Sequence, residues 1–257
     1  MQSALRLARW EWFRLHHRIP FLVLAGLAFV IPLLSLVVRA VQQTGWLPTL
    51  GDSGYFEVAA GSLAIVSPIL AIVLSSFTHA NDLQNGACRT LTARGASREA
   101  VIAAKSLVAA ALLLGFHLIV LVAAFLFASA LDPHFSGWQA GTGSVFASWM
   151  VSLLYLGLGI ALSQWQQSGS FTVGVGISII FVEAIFYPVA NGLGSLQNWP
   201  VAEVTAWTLW GISRGLQGDN GILSAAWYIP ISIGYIAGLA VLGAAAFRKF
   251  DLRAGSD

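Results

Sequence analysis

VIAAKSLVAAALLLGFHLIVLVAAFLFASAL, residues 101–131, carries a single charged side chain, Lys105. A helix crosses a ~30 Å hydrocarbon core with about 20 mostly apolar residues. This stretch is longer than one crossing needs, and so predicts a helix that tilts or extends past the membrane. It does not alternate, as the ~10-residue strands of an outer-membrane barrel would. Five other stretches read the same way: 20–42, 56–78, 144–164, 171–190 and 225–247. The sequence therefore predicts an all-α, polytopic membrane protein with six transmembrane helices. Pro68 and Pro230 fall inside two of them and predict kinks.

Composition agrees. Of 257 residues, 57% are hydrophobic and 9% are charged, against roughly 25% charged in a soluble domain. Mean hydropathy is +0.77. There are too few charges to cover a soluble surface, and the same balance excludes disorder. One cysteine, Cys88, excludes a disulfide scaffold. A net charge of +2 is too weak to suggest a nucleic-acid partner. The chain reads as a single transmembrane domain over 1–257.

Basic residues set the expected orientation. Arg6, Arg9, Arg14 and Arg18 precede the first span. Arg89, Arg94, Arg98 and Lys105 follow the second, and Arg248, Lys249 and Arg253 follow the last. Of the 13 Lys and Arg, only Arg39 and Arg214 fall on the other side. Both termini are therefore expected in the cytoplasm, and the expected location is the inner membrane of a prokaryote. Trp10, Trp12 and Trp165 fall at the expected inner edge. Trp46, Trp138, Trp149, Trp199, Trp207, Trp210 and Trp227 fall at or beyond the outer one, as aromatic belts require. Val38 and Ala40 resemble a signal cleavage site, but the first span exceeds the 7–15 residues of a signal peptide's apolar core.

Three segments stand apart from the spans. Residues 1–19 read as an interfacial amphipathic helix, with Leu5, Ala8, Trp12, Leu15 and Ile19 on one stripe and arginines on most of the rest. Residues 79–100, HANDLQNGACRTLTARGASREA, form a polar, basic cytoplasmic loop longer than a connection needs. Gly86 and Gly95 bracket a short helix within it. Residues 191–221 are external yet rich in Trp, Leu and Val, which predicts short re-entrant-like helices between the fifth and sixth spans. Pro200 would open one of them and carry it through Trp210, with Glu203 in its early turn. Ser170, Gly174 and Ser178, and the Gly234/Gly238 pair, mark faces suited to helix contacts.

No P-loop occurs, so the chain by itself cannot hydrolyse ATP through one. No catalytic constellation or metal-ligand spacing is present. His117 is the only mid-span histidine and reads as a packed group, and Cys88 reads as a bystander. Arg39 reads as snorkelling to the outer interface. Glu183 is the one acid deep in a span. Such a carboxylate faces the bundle interior or water. It is a candidate for the translocation path, or else a group hydrogen-bonded to a neighbouring helix. Pro188, Asn191 and Gly192 are expected to break its helix and let backbone polar groups line a cavity.

Residues 77–105 resemble the permease subunits of ATP-binding-cassette (ABC) transporters of the type-two exporter family. Asp82 and Gly86 match that family's acid and glycine. Leu91 matches one leucine, and Ser97-Arg98 and Lys105 match the rest. Asp82 stands where Glu is usual, Ala87 where Thr is usual, and Thr92 replaces a second leucine. The end, Phe247-Arg248-Lys249-Phe250-Asp251, resembles the family's as well. The resemblance implies a coupling helix in the 79–100 loop, docking on a separate cytoplasmic ATPase that binds ATP and Mg. It also implies a second permease subunit, identical or different, beside membrane lipids. Coupling candidates are then Asp82, Gly86, Arg89, Arg94, Ser97 and Arg98, with Glu183 the path candidate. This chain would hold no cofactor itself. A proton-coupled secondary transporter using Glu183, and a non-transporting membrane assembly protein, are the alternatives.

Overall fold

The computed structural model describes residues 2–16, 19–46, 54–93, 95–131, 138–197, 201–217 and 224–251. Arg18, Arg94, Trp199, Pro200 and Arg253 lie outside the described residues. The helices are α1 Gln2–His16, α2 Ile19–Gln43, α3 Tyr55–Ser75, α4 Asn81–Gln84, α5 Ala87–Ala93 and α6 Arg98–Leu131. They continue as α7 Trp138–Gln166, α8 Gly169–Gln197, α9 Val201–Thr205, α10 Leu209–Leu216 and α11 Ala225–Asp251. No strand occurs among the described residues.

Among the described residues, five helical segments are long and apolar enough to cross a membrane: Tyr55–Gln84, Glu99–Leu131, Gly141–Gln166, Gly169–Gly194 and Ala226–Ala246. The expected first span, 20–42, lies on α2, whose shorter apolar stretch is Ala28–Gln43. The opening stretch becomes the 34-residue α6, about 50 Å long at 1.5 Å per residue. It exceeds the hydrocarbon thickness, as its length required.

Two of these segments form the centre. The apolar windows of Tyr55–Gln84 and Gly141–Gln166 are 67% and 72% buried, against 11% for the segments on α8 and α11. Helices α3 and α7 pack against each other along their length, with α2 and α6 against α3 and α11 against α7. Small residues let the central pair approach. A Cβ on Gly159 would fall 2.0 Å from Ser75 Oγ, and one on Gly141 2.0 Å from Phe56 Cβ. Buried serines bond to their own helix, Ser62 to Ala59 O at 2.8 Å and Ser152 to Trp149 O at 2.6 Å. Their hydroxyls are thereby satisfied away from water.

The structure corrects four expectations. The small-residue faces of α8 and α11 are open: nothing lies within 4 Å of a Cβ on Gly174, Gly234 or Gly238. Those three glycines face outward, whereas Gly176 of α8 meets Ile72 and Gly243 of α11 meets Gln164. Helix α8 does not break at Pro188 but runs to Gln197. A proline is tolerated inside a membrane helix, and Asn191 Oδ1 accepts from Thr205 Oγ1 at 3.0 Å, joining α8 to α9. The helix expected to run through Trp210 is instead divided into α9, which ends at Thr205, and α10, which begins at Leu209. Thr208 caps the second by accepting the Gly211 N–H at 3.0 Å. On α1, Ala8 and Leu15 are buried against Ala104 and Val108 of α6, but Trp12 is 51% exposed. The place of Trp12 on the buried stripe is taken by Glu11, which is drawn inward by charge. Trp10, Trp12 and Phe13 are left on the exposed surface.

Candidate functional site

The 79–100 loop begins inside a helix. After Ser75 the chain makes a π-helical turn over Ser76–Ala80 and continues as α4. Such wide turns re-aim side chains and gather at functional positions. Gly86, at φ 71°, then ends this helix, and Gly95, at φ 89°, follows α5. Both conformations are the left-handed ones glycine adopts without strain. The short helix bracketed by these two glycines is thus present, as their spacing predicts.

Asp82 emerges from the π turn into a buried cluster of four charges. Glu11 and Arg14 come from α1, one turn apart, and Lys105 comes from α6. Arg14 Nη1 donates to Asp82 Oδ1 at 2.5 Å, and its Nη2 donates to Glu11 Oε1 at 2.6 Å and also to Asp82 Oδ2. Lys105 Nζ donates to Asp82 Oδ2 and, at 3.1 Å, to Glu11 Oε2. Each acid therefore meets both bases, and the ring closes with no net charge. Glu11, Asp82 and Lys105 are 1%, 1% and 2% exposed. Burial works against the Arg14 charge, but the Asp82 hydrogen bond and the charges of Glu11 and Asp82 hold its pKa above the ordinary guanidinium value. Its guanidinium also lies 5.2 Å from the Trp10 ring centre.

Neighbouring contacts stiffen this end. His79, one turn before Asp82, is fully buried. Its Nδ1 lies 2.8 Å from Thr78 Oγ1 and its Nε2 lies 3.3 Å from Ser106 Oγ on α6. Ser76 Oγ donates to Gly169 O at 3.1 Å, which ties the turn to the start of α8. One short segment thus holds α1, α6 and α8 together. The arrangement is mechanical: it has no reactive group poised on a substrate, but it can pass a displacement of the loop to three helices.

The coupling candidates divide. Asp82 is the buried anchor. Gly86 makes the turn into α5. Ser97 caps α6, its Oγ accepting the Ala100 N–H at 3.2 Å. Arg89 lies on α5 and Arg98 opens α6, while Arg94 lies outside the described residues. Cys88 is buried in α5, and burial pushes its thiol pKa up, away from the reactive thiolate. Sequence reasoning missed Glu11 and used Arg14 only for topology. A signal existed. Glu11 is the only acid among the first 51 residues, with arginines around it. An unpaired acid there would cost more than it contributes.

Glu183 lies far from this cluster, on α8. Its Oε2 accepts from Tyr155 Oη at 3.4 Å and from the Trp210 N–H at 3.2 Å. Trp210 is in the first turn of α10, where N–H groups lack intrahelical partners and the dipole favours a negative charge. The carboxylate therefore pins the short helix α10 to α7 and α8.

Residues 7–187 match the family model described as ABC-2 family transporter protein. The chain belongs to the ABC-2 transporter family. It is a multi-pass membrane protein and an ABC transporter permease, a membrane transport component. The match covers the charge cluster, the loop and Glu183 but stops before α9. No curated protein matches the chain. The buried ring is thus part of the matched ABC-2 region, and α10 belongs to the part beyond it.

Proposed function

We propose that this ABC-2 permease works as an exporter, driven by a separate cytoplasmic ATPase that docks on the 79–100 loop and binds ATP and Mg. In this reading α2 is the sixth span. Both termini and the loop then share the cytoplasmic face, which agrees with the bias of Arg and Lys toward that side. The cell location is the prokaryotic inner membrane. A second permease subunit, identical or different, completes the assembly.

The observation that carries the reading is the closed ring of Glu11, Arg14, Asp82 and Lys105. An ATPase pair closing on ATP displaces the loop. A loosely hinged loop would absorb that movement. A loop held by a buried ring passes it to α1 and α6 together, and so biases a two-state membrane element. In this division Asp82 transmits from inside, while Arg89, Arg94 and Arg98 meet the partner. Gly86 and Ser97 shape the ends of the docking helix. Glu183 enters the proposal on the opposite side, holding α10 beside the path.

The test is Arg98→Glu in the full chain, expressed with its ATPase. Membrane insertion should be unchanged, while ATPase co-purification or ATP-driven transport falls about tenfold or more, as for loss of a charged contact. Unchanged assembly and transport would overturn the docking assignment. A purified permease that transports and hydrolyses ATP with no nucleotide-binding subunit would overturn the function.

A further inference from the structure

A cavity of about 510 Å³ lies at the end of the bundle remote from the charge ring, between α3, α7 and α10. Its polarity is graded along α3. Glu57 stands in the first turn of that helix, and Ala60, Ala64, Ile65 and Pro68 follow it down the same wall. From Glu57 to Pro68 the wall descends about 16 Å at 1.5 Å per residue, half of a ~30 Å hydrocarbon core. Ile65 is 65% exposed, so the apolar wall continues to the lateral surface where acyl chains lie. The mouth is different. Arg214 and Ser213 of α10, and Gln217 just after it, line it together with Glu57. A cation and an acid thus reach one mouth from two different helices.

We propose that this cavity binds a membrane amphiphile with a zwitterionic headgroup, a phospholipid carrying both a phosphate and a primary amine. Arg214 meets the phosphate, Glu57 meets the ammonium, and an acyl chain lies along Ala60, Ala64, Ile65 and Pro68. A purely anionic headgroup would meet Glu57 as a like charge, and a purely cationic one would meet Arg214. A free headgroup would leave the apolar wall uncovered. Assigning this end to the outer leaflet rests on the topology proposed above.

The experiment uses the full-length permease in detergent, without any ATPase. Its outcome is therefore separate from that of the coupling test. Dioleoylphosphatidylethanolamine, dioleoylphosphatidylglycerol and soluble phosphoethanolamine are titrated in turn, and bound molecules are counted by native mass spectrometry. One phosphatidylethanolamine should bind at least about tenfold more tightly than phosphatidylglycerol, the discrimination of one charged hydrogen bond. Phosphoethanolamine should not compete. Glu57→Gln should narrow the preference over phosphatidylglycerol, and Arg214→Gln should weaken both lipids. Ile65→Trp, which fills the apolar wall and leaves both charges in place, should lower occupancy without changing the preference. Equal binding of the two lipids would overturn the proposal. So would phosphoethanolamine binding as tightly as the lipid, or lipid binding unaltered by all three variants in protein of unchanged thermal stability.

Discussion

Each end of this permease contains an acid that ought to be costly, and the two ends solve the problem differently. Asp82 sits in a ring with Arg14, Lys105 and Glu11, where every charge has an opposite partner. Glu183 meets no base in its bonds from Tyr155 and the Trp210 N–H, and instead takes the first-turn N–H of a helix. The first solution joins three separate helices through charged, nearly fully buried contacts. Taking charges out of water is expensive, so such a group is tolerable only while complete. The second uses longer hydrogen bonds to a short helix. The contrast teaches where stiffness is placed: around the proposed coupling loop, with a lighter clasp on α10.

The largest effect should come from breaking the ring. Lys105→Met leaves two buried carboxylates sharing one arginine, and should cost about 3–5 kcal/mol. The check is thermal unfolding of the purified permease. Pairing it with Glu11→Gln, which restores neutrality, should recover a large part of that loss, because residues in one network are not additive. If the double variant is as unstable as the sum of the singles, the ring is not a unit.

A smaller effect is expected at the clasp. Glu183→Ala should cost about 1–3 kcal/mol, the penalty for leaving buried donors unsatisfied. Glu183→Gln retains an acceptor and should cost less than about 1 kcal/mol on the same scale. Equal losses for the two would mean that the charge itself, rather than an acceptor, holds α10. Smallest is Thr208→Ala, which removes the cap on α10 and should cost about 1 kcal/mol. Proteolysis around α10 should then quicken while cleavage in the 79–100 loop is unchanged.

Much of this was legible in the residues. Gly86 and Gly95 announced α5 because both positions require φ above zero, and both have it. Asp82 and Lys105 were legible as members of a motif. Their burial was not, since a motif of loop residues says nothing of what covers them. Glu183 was legible as an anomaly, and its candidate roles included the hydrogen bond it makes. Its partner was invisible, because the Trp210 backbone is recognised only once α10 is in place. The open faces at Gly174, Gly234 and Gly238 show the limit of a spacing rule. It marks where helices can approach and not whether they do.

Hydropathy along the chain alone determined that this is a helical, multi-pass membrane protein, and the placement of Arg and Lys determined its expected orientation. Both are local properties, summed over a segment against the thickness of a bilayer. The tertiary structure decided which charges meet. Arg14 reaches Asp82 across 68 positions and Lys105 reaches Glu11 across 94. A buried ion pair depends on geometry and on exclusion of water, and both arise only when the helices pack.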